Sequence, residues 1–263
     1  MLVERSNPTY YLILTLTALF SLSACHGVLD ELYDKPKEGI DVKEGQLYID
    51  ASSWTDWFFI DFNAANRNFA EGGTGSAFVK MAIPVGDPEA KSTREHPVQQ
   101  TGIYTYWYDV FGKGVSNNEF DSFKPAEAQP EPSEWHIAVH RNNVRTNGGA
   151  VYETTYTSMK SLPESSEAFA DATFTEDEWN EVDVWTIQKQ MLNGLIGNQG
   201  IAINPVLSRW LSVEFPPPPN FKLNNHVFIV RFNDGTYAAV QLENYQNPAG
   251  VKCWLTINYK YPY

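Results

Sequence analysis

Short runs in which apolar and polar residues alternate follow one another along most of the chain, and this pattern limits the fold more than any other feature. From residue 45 onward they read "GQLYIDAS", "DWFFIDFN", "AFVKMAIPVG", "GIYTYWYDVFG", "EWHIAVHRN", "AVYETTYTS", "EVDVWTIQ", "LSRWLSVEF", "NHVFIVRFN", "TYAAVQLENY" and "GVKCWLTINYKY". A period of two puts successive side chains on opposite faces of a strand, and the Val, Ile, Thr and aromatic residues that fill these runs pack well on a pleated surface. Gly, Pro, Asn and Asp clusters punctuate them. The expectation is an all-β chain, a single predominantly antiparallel domain with few short helices. Its clearest hairpin is "FIVRFNDGTYAAVQL", where Asn233-Asp234-Gly235 supplies turn residues that tolerate positive φ. Thr175 and Glu178 in "TEDEW" have capping-box spacing and predict at most a short helical turn. The "PPPP" at 216–219 lacks ladder donors and reads as a stiff connector within that one domain.

The N-terminal region differs. Residues 1–24 join a short polar start to an apolar run from Tyr10 to Leu22, too short for a finished transmembrane helix and suited to a removable export signal. Leu22-Ser23-Ala24-Cys25 resembles a bacterial lipoprotein box, which makes Cys25 the lipidated N-terminus; an ordinary signal peptide that happens to contain Cys is the alternative. Each buried methylene of an acyl chain adds about 0.8 kcal/mol of membrane affinity, so several chains anchor durably. Residues 25–44 lack a sustained apolar pattern and read as a flexible tether, with the β domain at 45–263. With Cys25 consumed, Cys253 has no disulfide partner. It shares an alternating face with Val251, Leu255, Ile257 and Tyr259 and reads as a small core residue.

The formal charge of −13 argues against nucleic acid, whose phosphates need clustered Lys and Arg. No nucleophile elbow, H-E-x-x-H, phosphate-cradling loop or zinc spacing is present. Paired carboxylates drawn from distant strands would leave no local signature. His136 and His140 alternate onto one face, but four residues of strand span about 13 Å, too far for two imidazoles to share one ion. His226, on the face of Phe228 and Val230, reads as a satisfied core histidine. His96 has no evident partner, and His26 belongs to the tether.

The chain has four methionines. Met81 lies on the face of Val79 and Ile83, where a core role explains it. Met159 in "YTSMKSLPES" and Met191 in "IQKQMLNG" fall instead where strands give way to polar loops. Gap-filling beneath a loop is a sufficient explanation from composition alone.

Several stretches together add a second explanation. "GIYTYWYDVF", "EWHIAVHRNNVRTNGG", "YETTYTSM" and the closing "HVFIVRFNDGTYAAVQLENYQNPAGVKCWLTINYKYPY" resemble the HmuY family of haem-binding lipoproteins of the Bacteroidetes outer membrane. The resemblance covers nearly all of 45–263. It implies a hand-like antiparallel β fold that grips haem b, iron protoporphyrin IX, between two loop-borne axial ligands, histidines in the founding member and methionines in others. Those places here carry Met159 and Met191, and neither loop contains a histidine; His140 looks like scaffold. The resemblance further implies capture of haem, including from host haem proteins, transfer to a TonB-dependent outer-membrane receptor, a lipid-anchored surface location and no enzymatic activity. Tyr152, Tyr156, Trp179 and Trp185 flank the two loops as candidate porphyrin walls. Lys160 and Lys189 are candidate propionate partners, as are backbone amides. The competing reading is a surface glycan-binding lipoprotein that presents some of its eight Trp and fourteen Tyr as platforms, with both methionines structural.

Overall fold

Alternation becomes pairing along the described chain. The structure, a computed structural model, describes residues 40–73, 77–84, 104–109, 120–123, 127–180, 183–186, 195–214 and 220–263. Its strands are β1 (Gln46–Asp50), β2 (Asp56–Ile60), β3 (Phe78–Ala82), β4 (Tyr104–Asp109), β5 (Phe120–Phe123), β6 (Ile137–His140), β7 (Asn143–Thr146) and β8 (Ala150–Glu153). They continue with β9 (Thr175–Glu176), β10 (Glu178–Asn180), β11 (Leu195–Ile203), β12 (Leu211–Glu214), β13 (Asn220–Leu223), β14 (Phe228–Arg231), β15 (Tyr237–Gln246) and β16 (Lys252–Lys260). Among the described residues they form a six-stranded sheet in the order β1-β16-β15-β14-β8-β9, two four-stranded sheets, β3-β2-β6-β7 and β10-β11-β4-β5, and the pair β12-β13. Every one of these pairings is antiparallel, as an all-β chain built from hairpins requires.

Burial explains which runs alternate cleanly and which do not. Inward residues of the six-stranded sheet, such as Leu47, Phe228, Val240 and Ile257, meet Phe58, Ile60, Ile137 and Val139 of the β2–β6 sheet in the main core. The opposite face of that second sheet is covered too, where Trp57, Phe59 and Ala138 pack with Ile201 and Ile203 of β11. All five residues of β2 are therefore buried, and its sequence is almost continuously apolar. Trp210, with no exposed surface, plugs the main core and donates its indole N–H to the Asn142 carbonyl at 3.1 Å.

The "TNGG" stretch has a steric cause. Gly148 turns the chain at φ +65°. A Cβ on Gly149 would lie 2.7 Å from the Arg231 carbonyl oxygen, because β8 and β14 approach there backbone to backbone. The Asn233-Asp234-Gly235 turn joins β14 to β15 as expected, with Gly235 at φ +83° and the Asp234 carboxylate accepting from Thr236 N–H at 2.9 Å.

Several expectations change. A helix, α1 (Phe62–Ala70), follows β2 directly; its Asn-rich sequence hides it, but Asp61 caps it by accepting from Asn63 N–H at 2.9 Å, and Phe62 and Ala65 bury its inner face. The capping-box spacing in "TEDEW" makes no helix, because Thr175–Glu176 pairs with β8 and Glu178–Asn180 with β11. In "EVDVWTIQ" the described 183–186 are no strand and make one isolated bridge, Trp185 to Asn198. Leu207–Trp210 is a 3-10 turn rather than strand. Cys253 is buried as expected, whereas Val251, just before β16, is 47% exposed. Met81 packs half-buried against the β2 cluster, but Val79 on the same edge strand is 45% exposed. The export segment, Cys25, the "PPPP" run, His26, His96, Lys189 and Met191 lie outside the described residues.

Candidate functional site

Met159 sits on a long excursion, residues 154–174, that leaves β8 and returns as β9, the strand paired beside it. Because the two ends are hydrogen-bonded neighbours, the excursion is a closed loop folded back on the outer face of the six-stranded sheet. Its own polar residues fasten it. Thr154 gives both its N–H and its hydroxyl to the Val227 carbonyl, at 3.0 and 2.7 Å, and Val227 N–H returns to the Tyr156 carbonyl at 2.8 Å. Gln241, buried in β15, reaches up to the Thr157 carbonyl at 2.9 Å.

Ser158 then caps the 3-10 turn Met159–Ser161, accepting from Lys160 N–H at 3.3 Å, and the Ser161 hydroxyl donates to the Ser158 carbonyl at 2.7 Å. Beyond it, the Tyr263 hydroxyl donates to the Pro163 carbonyl at 2.9 Å. Beneath the loop lies an aromatic bed around Phe169, Val227, Ile229 and Ala239, to which Tyr152, Tyr156, Phe174, Tyr237 and Tyr263 contribute. Tyr156 stands edge-on to Phe169 with ring centroids 6.4 Å apart. Met159 rests half-buried on this bed, so its thioether is positioned by a fastened backbone and carries no charge to desolvate. Lys160 beside it is exposed.

Tyr152 and Tyr156 thus share Met159's surroundings, as the sequence suggests, but Trp179 and Trp185 do not. Asp177 interrupts the chain between β9 and β10, which belong to different sheets, and the residues after it turn away. Trp179 and Trp185 instead line a cavity of about 450 Å³ with Trp54 and Arg141, which sequence reasoning did not single out.

Among the described residues the histidines form no metal centre. His140 is fully buried, with Nδ1 2.9 Å from the Asp56 carbonyl oxygen and Nε2 2.9 Å from that of Trp185. Burial pulls its pKa below the ordinary histidine value, against the pull of the two carbonyls. Both nitrogens face backbone carbonyl oxygens, to one of which the neutral ring donates, a setting that suits a buried scaffold residue. His136 does not share a face with His140: it precedes β6, so strand alternation never reaches it, and it packs among Phe62, Phe232 and Tyr261. His226 is satisfied but not core; half-buried ahead of β14, its Nδ1 lies 2.9 Å from Glu153 Oε1. Among the described residues no cluster of three or more His, Cys, Asp or Glu is arranged to hold a metal.

The described residues form a multi-sheet antiparallel β domain that presents a fastened, uncharged thioether over aromatic rings. The chain belongs to the HmuY protein family, which matches residues 53–259. Proteins of this family bind haem. A structure from Bacteroides vulgatus described as an HmuY-like heme binding protein is 29% identical, covers 86% of this chain and 98% of its own, and superposes with a TM-score of 0.55. One described as a lipoprotein from Bacteroides fragilis is 26% identical, with coverage of 88% and 98% and a TM-score of 0.56. The apo HmuY analog of Tannerella forsythia, 21% identical over 86% of this chain and 97% of its own, shares the fold with a TM-score of 0.55. No curated protein matches the chain.

Proposed function

We propose that this protein is a haem-capturing lipoprotein of the outer membrane, anchored through Cys25 and exposed at the surface by the tether 25–44. It holds haem b between the thioethers of Met159 and Met191, takes it from host haem proteins, and passes it to a TonB-dependent receptor. Tyr156 contributes to the pocket wall, and Lys160 and Lys189 face the propionates.

The observation that supports this most is the placement of Met159 on a short capped turn over aromatic rings, in a chain of the haem-binding HmuY family. A core methionine needs no such frame. Thioether sulfur is soft and does not titrate, so two of them favour ferrous over ferric iron and keep their grip at pH values where imidazole protonates. With both axial positions filled, iron has no open site for oxygen or peroxide, which suits capture and transfer rather than catalysis.

Titration of the full chain with haem in both oxidation states tests the reading. The expected result is a saturable change with a sharp low-spin spectrum on reduction, weakened in Met159→Ala and in Met191→Ala. Spectra unchanged in both variants end the ligand assignment. Retention of the wild type on a polysaccharide gel without any haem spectrum favours the glycan reading instead.

A further inference from the structure

The cavity beyond Asp177 is built as carefully as the Met159 loop. It opens between the β6–β7 hairpin, the segment 183–185 and β10 to β12, and its volume of about 450 Å³ falls within the roughly 300–1,000 Å³ of small-molecule sites. One wall is aromatic: the Trp54 and Trp185 rings lie 6.2 Å apart and nearly parallel, at 27°, with Trp179 beside them. Arg141 rests its guanidinium 4.1 Å from the Trp54 ring centroid and donates from Nη1 to the Ser52 carbonyl at 2.8 Å.

Arg141 achieves this in a left-handed conformation, φ +56°, which costs an L-residue roughly 1–2 kcal/mol. Such outliers persist where the surrounding structure enforces them, often at binding sites. Here the cause is the two-residue β6–β7 turn, in which Arg141 is the first residue between the paired His140 and Asn143, and bonds around that turn fix the wall. His140 Nε2 holds the Trp185 carbonyl at 2.9 Å, Asn143 Nδ2 donates to the Asp183 carbonyl at 2.9 Å, and Asn180 and Asp183 bond each other reciprocally at 2.7 and 2.8 Å. The aromatic wall is thereby fixed in advance, which lowers the entropy lost on binding.

The lining selects by charge. Arg141 and Arg209 are balanced by Glu178 and Asp183, and Arg209 is already paired with Glu153 at 3.3 Å. With Arg209 shared with Glu153, the rim carries no strong charge of either sign and leans slightly acidic, a poor fit for an anion such as a porphyrin dicarboxylate and no strong site for a cation. Aromatic faces beside amide and carboxylate groups instead match a ring with an apolar C–H face and a hydroxylated edge. Met159 and its aromatic bed are not part of the lining.

We propose that this cavity is a second binding site, independent of the Met159 loop, that takes a neutral pyranose residue of a glycan. The test uses the full chain, with methyl glucoside, methyl galactoside, methyl mannoside and their neutral trisaccharides as probes, read by tryptophan fluorescence and saturation-transfer NMR. At least one neutral sugar should bind saturably. Trp185→Ala and Arg141→Gly should each weaken it about tenfold or more, and Met159→Ala should leave it unchanged. Arg141→Gly relieves the backbone conformation while deleting the guanidinium, so it separates loss of binding from loss of fold, and thermal melting checks both variants. Three results overturn the proposal: no neutral sugar binds, N-acetylneuraminic acid or glucosamine binds as well as the neutral sugars, or protoporphyrin IX displaces the sugar. Haem titration of the same variants reads the other site separately, so failure here leaves the Met159 assignment standing.

Discussion

Asp177 is the joint at which the chain passes from the six-stranded sheet to the β10–β11 sheet, and its removal should be measurable. Its carboxylate accepts from Thr146 N–H at 2.7 Å, from the Thr146 hydroxyl at 2.9 Å and from Asn204 Nδ2 at 3.1 Å. In Asp177→Ala two of these donors keep another acceptor, since the Thr146 hydroxyl still reaches the Gly149 carbonyl at 3.0 Å and Asn204 Nδ2 the Thr175 carbonyl at 3.0 Å. Only Thr146 N–H is stranded, in a residue with 3% exposure, at a cost of about 1–3 kcal/mol. Relief from burying a carboxylate offsets part of the lost charge-assisted bonding, so we expect a net loss of about 2 kcal/mol. For a domain of this size that lowers Tm by about 4–8 °C.

Asp177→Asn keeps one acceptor oxygen for Thr146 N–H and should cost less than about 1 kcal/mol at neutral pH. Burial raises the Asp177 pKa above its ordinary value, even though Thr146, Asn204 and the nearby Arg145 pull it down. The folded chain therefore takes up this proton at a higher pH than the unfolded chain, whose value is about 3.9. Acidification from neutral toward that value adds stability through Asp177 in the wild type and none in Asp177→Asn. The gap between the two proteins should widen as pH falls, in urea melts run at several pH values. An alanine variant that melts within about a degree of wild type, or a gap that narrows on acidification, would refute the reasoning.

Gly149→Ala places a methyl against the Arg231 carbonyl oxygen, forces β8 and β14 apart and should cost about 1–3 kcal/mol in a thermal melt. His136 has the opposite pH sense to Asp177. Burial lowers its pKa, although Asp61, Asp234 and Glu134 oppose this, so its contribution is complete above the unfolded value of about 6.5 and is lost as pH falls below it. His136→Gln should flatten the pH dependence of urea stability between about pH 7 and pH 5.5.

Strand alternation was legible wherever one face of a strand is buried and the other is not. It failed at β11, where Gly197 and Gly200 interrupt the side-chain pattern, and at β9 and β10, which are two and three residues long. It also failed at α1, whose sequence is a poor helix former and whose stability comes from Asp61 and from burying Phe62. Met159 was visible because a methionine in a polar loop, where no alternation asks for it, is conspicuous. The tryptophan cavity was not, because Trp54, Arg141, Trp179 and Trp185 come from four separate segments and only pairing brings them together. "HRNNVRTNGG" did mark its rim, but as a family likeness, without the left-handed Arg141 that gives the stretch its shape.

The placement of Asp177 explains how one chain keeps the two proposed sites apart. β9 and β10 follow one another with a single residue between them, yet hydrogen-bond into different sheets. The excursion before the joint, residues 154–174, folds back over the outer face of the six-stranded sheet and carries Met159. The strand after it, β10, pairs with β11 and carries Trp179 into the lining of the cavity. Each site is fastened by its own set of bonds, Thr154, Gln241 and Ser158 for the loop, His140, Asn143 and Asn180 for the cavity. The two sets share no residue, so ligand effects on the two sites should be close to additive.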